Sequence, residues 1–145
     1  MESDLKKNSI ESNILNQSVP PETLIWYVRR GFLKKKNVRD ITNFSHKERE
    51  VAMTFVAIPK DDKLLIGFSV CSPRERSSNK KVGRNIAIQR AIWWENMKVL
   101  HLNKIPEILQ QKWTFFETFL LKCNNRRSFQ GKQFPEWVNR YFVKC

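Results

Sequence analysis

The chain has 145 residues, the length of one ordinary domain. An apolar content of 41%, with ten Phe and five Trp, excludes a globally disordered chain. Its 27 Lys+Arg against 14 Asp+Glu leave a formal net charge of +13, which makes an anionic partner the first expectation: nucleic acid, a nucleotide or an anionic membrane surface.

The first residues, Met1-Glu2-Ser3-Asp4-Leu5-Lys6-Lys7, are followed by no apolar core, so they do not read as a signal peptide. Residues 1–19 are polar, rich in Ser and Asn, and read as a flexible arm ahead of a single domain over 20–145. Pro20-Pro21 then opens a predicted helix over 21–30, because proline fits a first helical turn and Leu24, Ile25, Tyr27 and Val28 supply an apolar stripe with Trp26 beside it. Gly31 is read as its stop. A basic patch follows at Lys34-Lys35-Lys36 and Arg39. Residues 51–58 and 64–71 read as two strands around the turn chemistry of 59–63, an antiparallel hairpin. Both strands are apolar at nearly every position, which predicts burial on both faces, under helices or in a subunit interface.

A polar loop over 72–79 leads into a helix predicted over 80–98, with Ser78 or Asn79 as its cap. Gly83, Ala87 and Ala91 fall at i, i+4 and i+8 and form a ridge of small side chains suited to close packing against the hairpin or another helix. With a hairpin apolar on both faces, this ridge predicts a dimer or larger closed oligomer. A helix over 106–123 carries Leu109, Trp113, Phe116, Leu120 and Cys123 at steps of four and three, and a last helix over 135–143 carries Trp137, Tyr141 and Phe142. The expected fold class is therefore α+β: an antiparallel hairpin covered by several helices.

Chemistry concentrates between Arg74 and Arg90. Arg74, Arg76, Lys80, Lys81, Arg84 and Arg90 face one acid, Glu75. A helix start carries partial positive charge from its unpaired N–H groups, so acids normally sit there. Lys80 and Lys81 in a first turn are each unfavourable by roughly 0.3–1 kcal/mol. A bound anion removes that conflict, since N–H groups, dipole and cations then point at one charge. The candidate ligand-binding residues are Arg74, Arg76, Ser78, Lys80, Lys81, Arg84 and Arg90, for a phosphate-bearing ligand. No catalytic residue, metal or cofactor is assigned. His46 and His101 stand alone and no Cys-x-x-Cys occurs, which leaves no zinc set. Asp61-x-Lys63 has the look of half a nuclease signature, but it sits in turn chemistry without a second carboxylate cluster. Cys71, Cys123 and Cys145 are odd in number and far apart, so no disulfide framework is expected and the compartment is read as reducing. No apolar run approaches about 18 residues, so no membrane span is expected and the protein is read as cytoplasmic.

The stretch Gly67-Phe68-Ser69-Val70-Cys71-Ser72-Pro73, the basic loop, Lys81-Val82-Gly83-Arg84-Asn85-Ile86-Ala87 and then Arg90-Ala91 resembles a pattern of small tailed-phage proteins, the anti-Thoeris family of nucleotide sponges. The resemblance covers residues 67–91. It implies a phage anti-defence protein of the host bacterial cytoplasm, a homo-oligomer that sequesters a cyclic ADP-ribose signal without degrading it. In one respect the chain departs from the pattern: Glu75-Arg76 is followed by Ser77 where an aromatic is expected, so a stacking partner for a base has to come from elsewhere. The leading expectation is thus a non-enzymatic binder of a small phosphorylated nucleotide. A basic nucleic-acid-binding module is the alternative, and a metal-dependent nuclease centred on Asp61 comes third.

Overall fold

The computed structural model describes residues 19–34, 44–71, 80–97 and 113–141. The predicted hairpin is present, with a tighter turn, a first arm two residues longer than expected and a second arm that begins and ends one residue earlier. Strand β2, Val51–Lys60, pairs antiparallel with β3, Lys63–Val70, across the two-residue turn Asp61-Asp62. Asp61 has φ 56°, a left-handed conformation that aspartate tolerates better than most residues. Further along, Gln133 clamps the tip by accepting from the Leu64 N–H and donating to the Asp62 carbonyl, each at 2.8 Å.

Strand β1, Leu24–Arg29, overturns the helix predicted over 21–30. It pairs antiparallel with β2, giving a three-stranded sheet in the order β1-β2-β3. Two physical reasons account for the difference. Leu24 to Val28 is an unbroken apolar run of branched and aromatic side chains, which suits a pleated, buried surface better than a helix. The prolines also do not start a helix; Thr23 donates to the Pro20 carbonyl at 3.0 Å and closes a turn. Within β1, Leu24, Trp26 and Val28 pack against one core cluster while Ile25 packs against the other, as a period of two requires. Beyond it, Gly31–Lys34 forms one helical turn, α1, where Gly31 was expected to end a helix. Pro59 is tolerated in the middle strand because the pairing with β1 ends at Leu24↔Ala57, before proline's missing N–H is needed.

Three helices complete the described architecture. Helix α2, Lys80–Trp93, continues into a 3₁₀ turn at Trp94–Asn96 and ends in extended backbone at Met97, so it is shorter than the predicted 80–98. Helix α3, Trp113–Asn125, runs two residues beyond the predicted end; residues 106–112 lie outside the described residues. Helix α4, Glu136–Tyr141, follows Pro135, whose carbonyl accepts from Val138 and Asn139. The proposed arm at 1–19 lies outside the described residues apart from Val19.

Burial on both sheet faces is realised by helices of the same chain. On one face Val28, Met53, Phe55, Ala57, Leu64, Ile66 and Phe68 meet Phe116, Phe119, Leu120, Cys123, Phe129, Trp137 and Val138. Phe55 stacks on Phe119 at 5.4 Å and meets Phe116 edge-on at 5.5 Å, the geometries that aromatic quadrupoles favour. On the other face Val56, Ile58 and Leu65 meet Ala87, Ile88 and Ala91 of α2. The small ridge therefore serves packing within the chain. A Cβ on Gly67 of β3 would stand 2.2 Å from the Ala87 carbonyl oxygen and 2.4 Å from the Ala91 nitrogen, so glycine alone admits the helix this close. Both surfaces that the sequence offered for self-association are consumed inside the fold.

Candidate functional site

The start of α2 lies over one end of the sheet, and the pairing register explains what is beneath it. Tyr27 of β1 is opposite Thr54 of β2, and Thr54 is opposite Ser69 of β3. Three hydroxyl-bearing residues thus form a row across the sheet. The neighbouring row on the same face is Ile25, Val56 and Gly67, which is apolar and admits the helix. Gly83 rides on the hydroxyl row: its added Cβ would be 3.3 Å from Thr54 Oγ1 and 3.4 Å from Ser69 Oγ. The Ser69 hydroxyl donates to the Gly83 carbonyl at 2.7 Å and pins the first turns of the helix to β3.

Lys80, Lys81 and Arg84 occupy those first turns, and the first turn carries no acid. Lys80 and Lys81 are exposed and Arg84 is half-buried. The spacings of three and four place Arg84 beside both lysines on the helix surface. The Lys80 ammonium sits 4.3 Å from the centroid of the Tyr27 ring, a cation–π contact. Tyr27 is an aromatic that the sequence reading did not place at the helix start. It entered that reading only as part of a helical stripe, since a helix over 21–30 gives it no reason to meet residue 80.

Arg90 belongs elsewhere. It lies ten residues on, about 15 Å along the helix axis, and it donates from NH1 to the Phe68 carbonyl at 3.2 Å. Burial lowers its pKa, and its role is to cap a carbonyl of β3 rather than to join the cations at the helix start. Arg74, Arg76 and Ser78 lie outside the described residues.

The other candidates fall to structural roles. Asp61 is an exposed turn residue whose carbonyl accepts from Lys132 Nζ. Among the described residues no group of three His, Cys, Asp or Glu side chains is placed to hold a metal ion. Cys123 is buried in the core, where burial pushes its thiol up to about 12 despite the opposing charge of Arg126. A cleft of about 130 Å³ lies at the hairpin-tip end of the sheet, lined by Lys63, Leu65, Glu95, Gln133 and Phe134 among others. It falls short of the ~300 Å³ of an ordinary ligand pocket, and its Glu95 carboxylate is taken by Lys60 Nζ at 2.9 and 3.1 Å. No helix of the described residues is long and apolar enough to cross a membrane.

What the helix start can do follows from its parts. The helix dipole, three cations and an aromatic ring favour a phosphate-bearing ligand with a planar portion. No protein-family model, curated protein or solved structure matches the chain.

Proposed function

We propose that the protein is a non-enzymatic binder of a small phosphorylated nucleotide, held at the start of α2. The observation that carries this reading is the set Lys80, Lys81 and Arg84 on helical turns without an acid, seated over the row Tyr27, Thr54 and Ser69. A fixed anion at this helix start would use the helix dipole and offset the mutual repulsion of the three cations. The resemblance over residues 67–91 narrows the ligand to a cyclic ADP-ribose-type messenger and the role to a phage sponge that keeps the messenger from a host defence. Sequestration requires tight binding without turnover.

Titration calorimetry with cyclic ADP-ribose isomers tests the reading, followed by heat release and chromatography of the ligand. Intact ligand is expected back. Arg84→Ala is expected to weaken binding by roughly 10- to 100-fold, the loss of one hydrogen bond to a charged group. Equal affinity of Arg84→Ala and the parent refutes the placement. A cleaved product would favour the nuclease. The nucleic-acid reading rests on the net charge of +13 and makes a different forecast: affinity for a long polyanion falls steeply with salt as counterions are released. A small ligand with few charge contacts loses less.

A further inference from the structure

The sheet keeps an open edge. Its order is β1-β2-β3, and among the described residues no further strand pairs with β1. Nor does any residue from Leu24 to Val28 make a backbone hydrogen bond outside the sheet. Every second residue of such a strand turns its N–H and C=O outward, ready for another extended chain. The usual guards are absent from the strand itself, since Leu24 to Val28 holds no charge and no proline. A register shift at Val28/Arg29 ends the regular edge there.

Two cations flank this edge, one on each face. Trp26 and Tyr27 are consecutive, so their side chains point to opposite faces of the sheet. On the α2 face the Lys80 ammonium lies 4.3 Å from the Tyr27 ring centroid. On the other face the Lys122 ammonium lies 5.1 Å from the Trp26 ring centroid. Lys122 reaches it from α3 because it follows Phe119 by three residues, and Trp26 stacks on Phe119. Both lysines are exposed, and neither belongs to an ion pair among the described residues.

We infer that the outer edge of β1 docks an extended acidic segment of another protein, added as a strand with two adjacent carboxylates beside Trp26 and Tyr27. The outward N–H and C=O groups supply the backbone pairing, which only an extended peptide can match. Side chains that are neighbours across two strands lie about 5 Å apart. An acid next to either ring is therefore within reach of the ammonium set over that ring. Consecutive residues of the added strand fall on opposite faces, so one carboxylate meets Lys80 and the next meets Lys122. Acids at every second position would serve one face only. The net charge of +13 draws an acidic segment in and disfavours a basic one. Lys80 serves both ligands, but neither Lys81 nor Arg84 takes part, so the docking does not rest on the nucleotide reading.

The test uses the nuclease-treated, isotope-labelled full-length protein and the capped peptide Thr-Val-Thr-Glu-Glu-Val-Thr-Val. On adding the peptide, amide hydrogen exchange is expected to slow at alternate residues of Leu24–Val28, a readout that binding elsewhere does not move. By calorimetry, the same peptide with Gln-Gln in place of Glu-Glu should bind about 10-fold more weakly, the loss of two cross-strand ion pairs. Lys122→Glu should also cost about 10-fold, since it turns one attraction into a repulsion. Lys63→Glu makes the same change of charge on β3, across the sheet from β1, and should leave the affinity as it was. Circular dichroism checks that both variants fold. Exchange over Leu24–Val28 that does not respond to the peptide would overturn the proposal. So would outward amides already slow in the free protein, because the edge is then covered by the chain's own residues. A Lys122→Glu variant that binds like the parent would reduce the lysines to guards that blunt the edge, and the proposal would fall. It would fall equally to an oligothymidylate that slows the same amides, since the edge would then take a nucleic acid.

Discussion

Gly67→Ala is the sharpest test of how α2 sits on the sheet. The new methyl would stand 2.2 Å from the Ala87 carbonyl oxygen, 2.4 Å from the Ala91 nitrogen and 2.8 Å from the Ala91 Cα. All three are backbone atoms, so no side-chain rotamer can yield. Restoring ordinary contact lifts the helix by about 1 Å, and a gap of that size forfeits roughly a quarter to a half of each dispersion contact it opens. The contacts at stake are those of Val56, Ile58 and Leu65 with Ala87, Ile88 and Ala91. The added methyl returns at most ~0.8 kcal/mol of burial. Overpacking against movable neighbours costs about 1–3 kcal/mol; against fixed backbone the upper end applies, and the expected loss is about 3 kcal/mol. For a chain of this length that lowers the melting temperature by about 10 °C. Gly83→Ala is the matched control. Its Cβ would meet only the Thr54 and Ser69 hydroxyls, at 3.3 and 3.4 Å, and alanine is the better helix former by ~1 kcal/mol. It should therefore melt close to the parent. Thermal and urea denaturation followed by circular dichroism measure both. If Gly67→Ala melts within about 2 °C of the parent, α2 does not rest on β3 as described.

Two further outcomes are expected. The folded Cys123 thiol is pushed from 9.0 to about 12, so between those values the unfolded chain has released a proton that the folded chain retains. Its contribution is fully present below pH 9.0 and is lost as pH rises towards about 12, with a slope of up to ~1.4 kcal/mol per pH unit. The stability advantage of the parent over Cys123→Ala should therefore narrow between pH 8 and pH 10.5 in urea titrations; a constant difference would refute the burial argument. Arg90→Ala removes the donor to the Phe68 carbonyl and should destabilise by about 1–3 kcal/mol. It should leave nucleotide affinity as it was, the opposite pattern to Arg84→Ala, and a calorimetric loss of binding would return Arg90 to the site.

How much of this was legible in the sequence depends on how far apart the cooperating residues lie. The hairpin was readable because β2 and β3 are apolar on both parities, a pattern that only a sheet covered on both faces can use. The cations at 80, 81 and 84 were readable because one helical turn brings them together. Strand β1 was not, because Leu24 to Val28 is apolar throughout and so short that periods of 2 and 3.6 fit it equally well. Its identity is fixed by the open edge of β2, which no local pattern announces. The destination of the small ridge was half readable: Gly83, Ala87 and Ala91 called for a close neighbour, and Gly67 is the residue on β3 that provides one.

The floor of the site was nearer to hand than its aromatic. Thr54 and Ser69 interrupt two strands that are otherwise almost wholly apolar, and each is buried. The turn falls at Asp61-Asp62, inside the stretch 59–63 read as turn chemistry, and it sets Lys60 opposite Lys63. Counting back from that pair places Thr54 opposite Ser69. Two buried hydroxyls side by side need polar partners, and the Gly83 carbonyl supplies one to Ser69. That contact draws the start of α2, with its cations, to this end of the sheet. Tyr27 joins the row only once β1 is a strand, because its meeting with Thr54 is a matter of register rather than of sequence spacing. Hydroxyls buried in register can therefore locate a helix start, and with it the charges that the helix start carries.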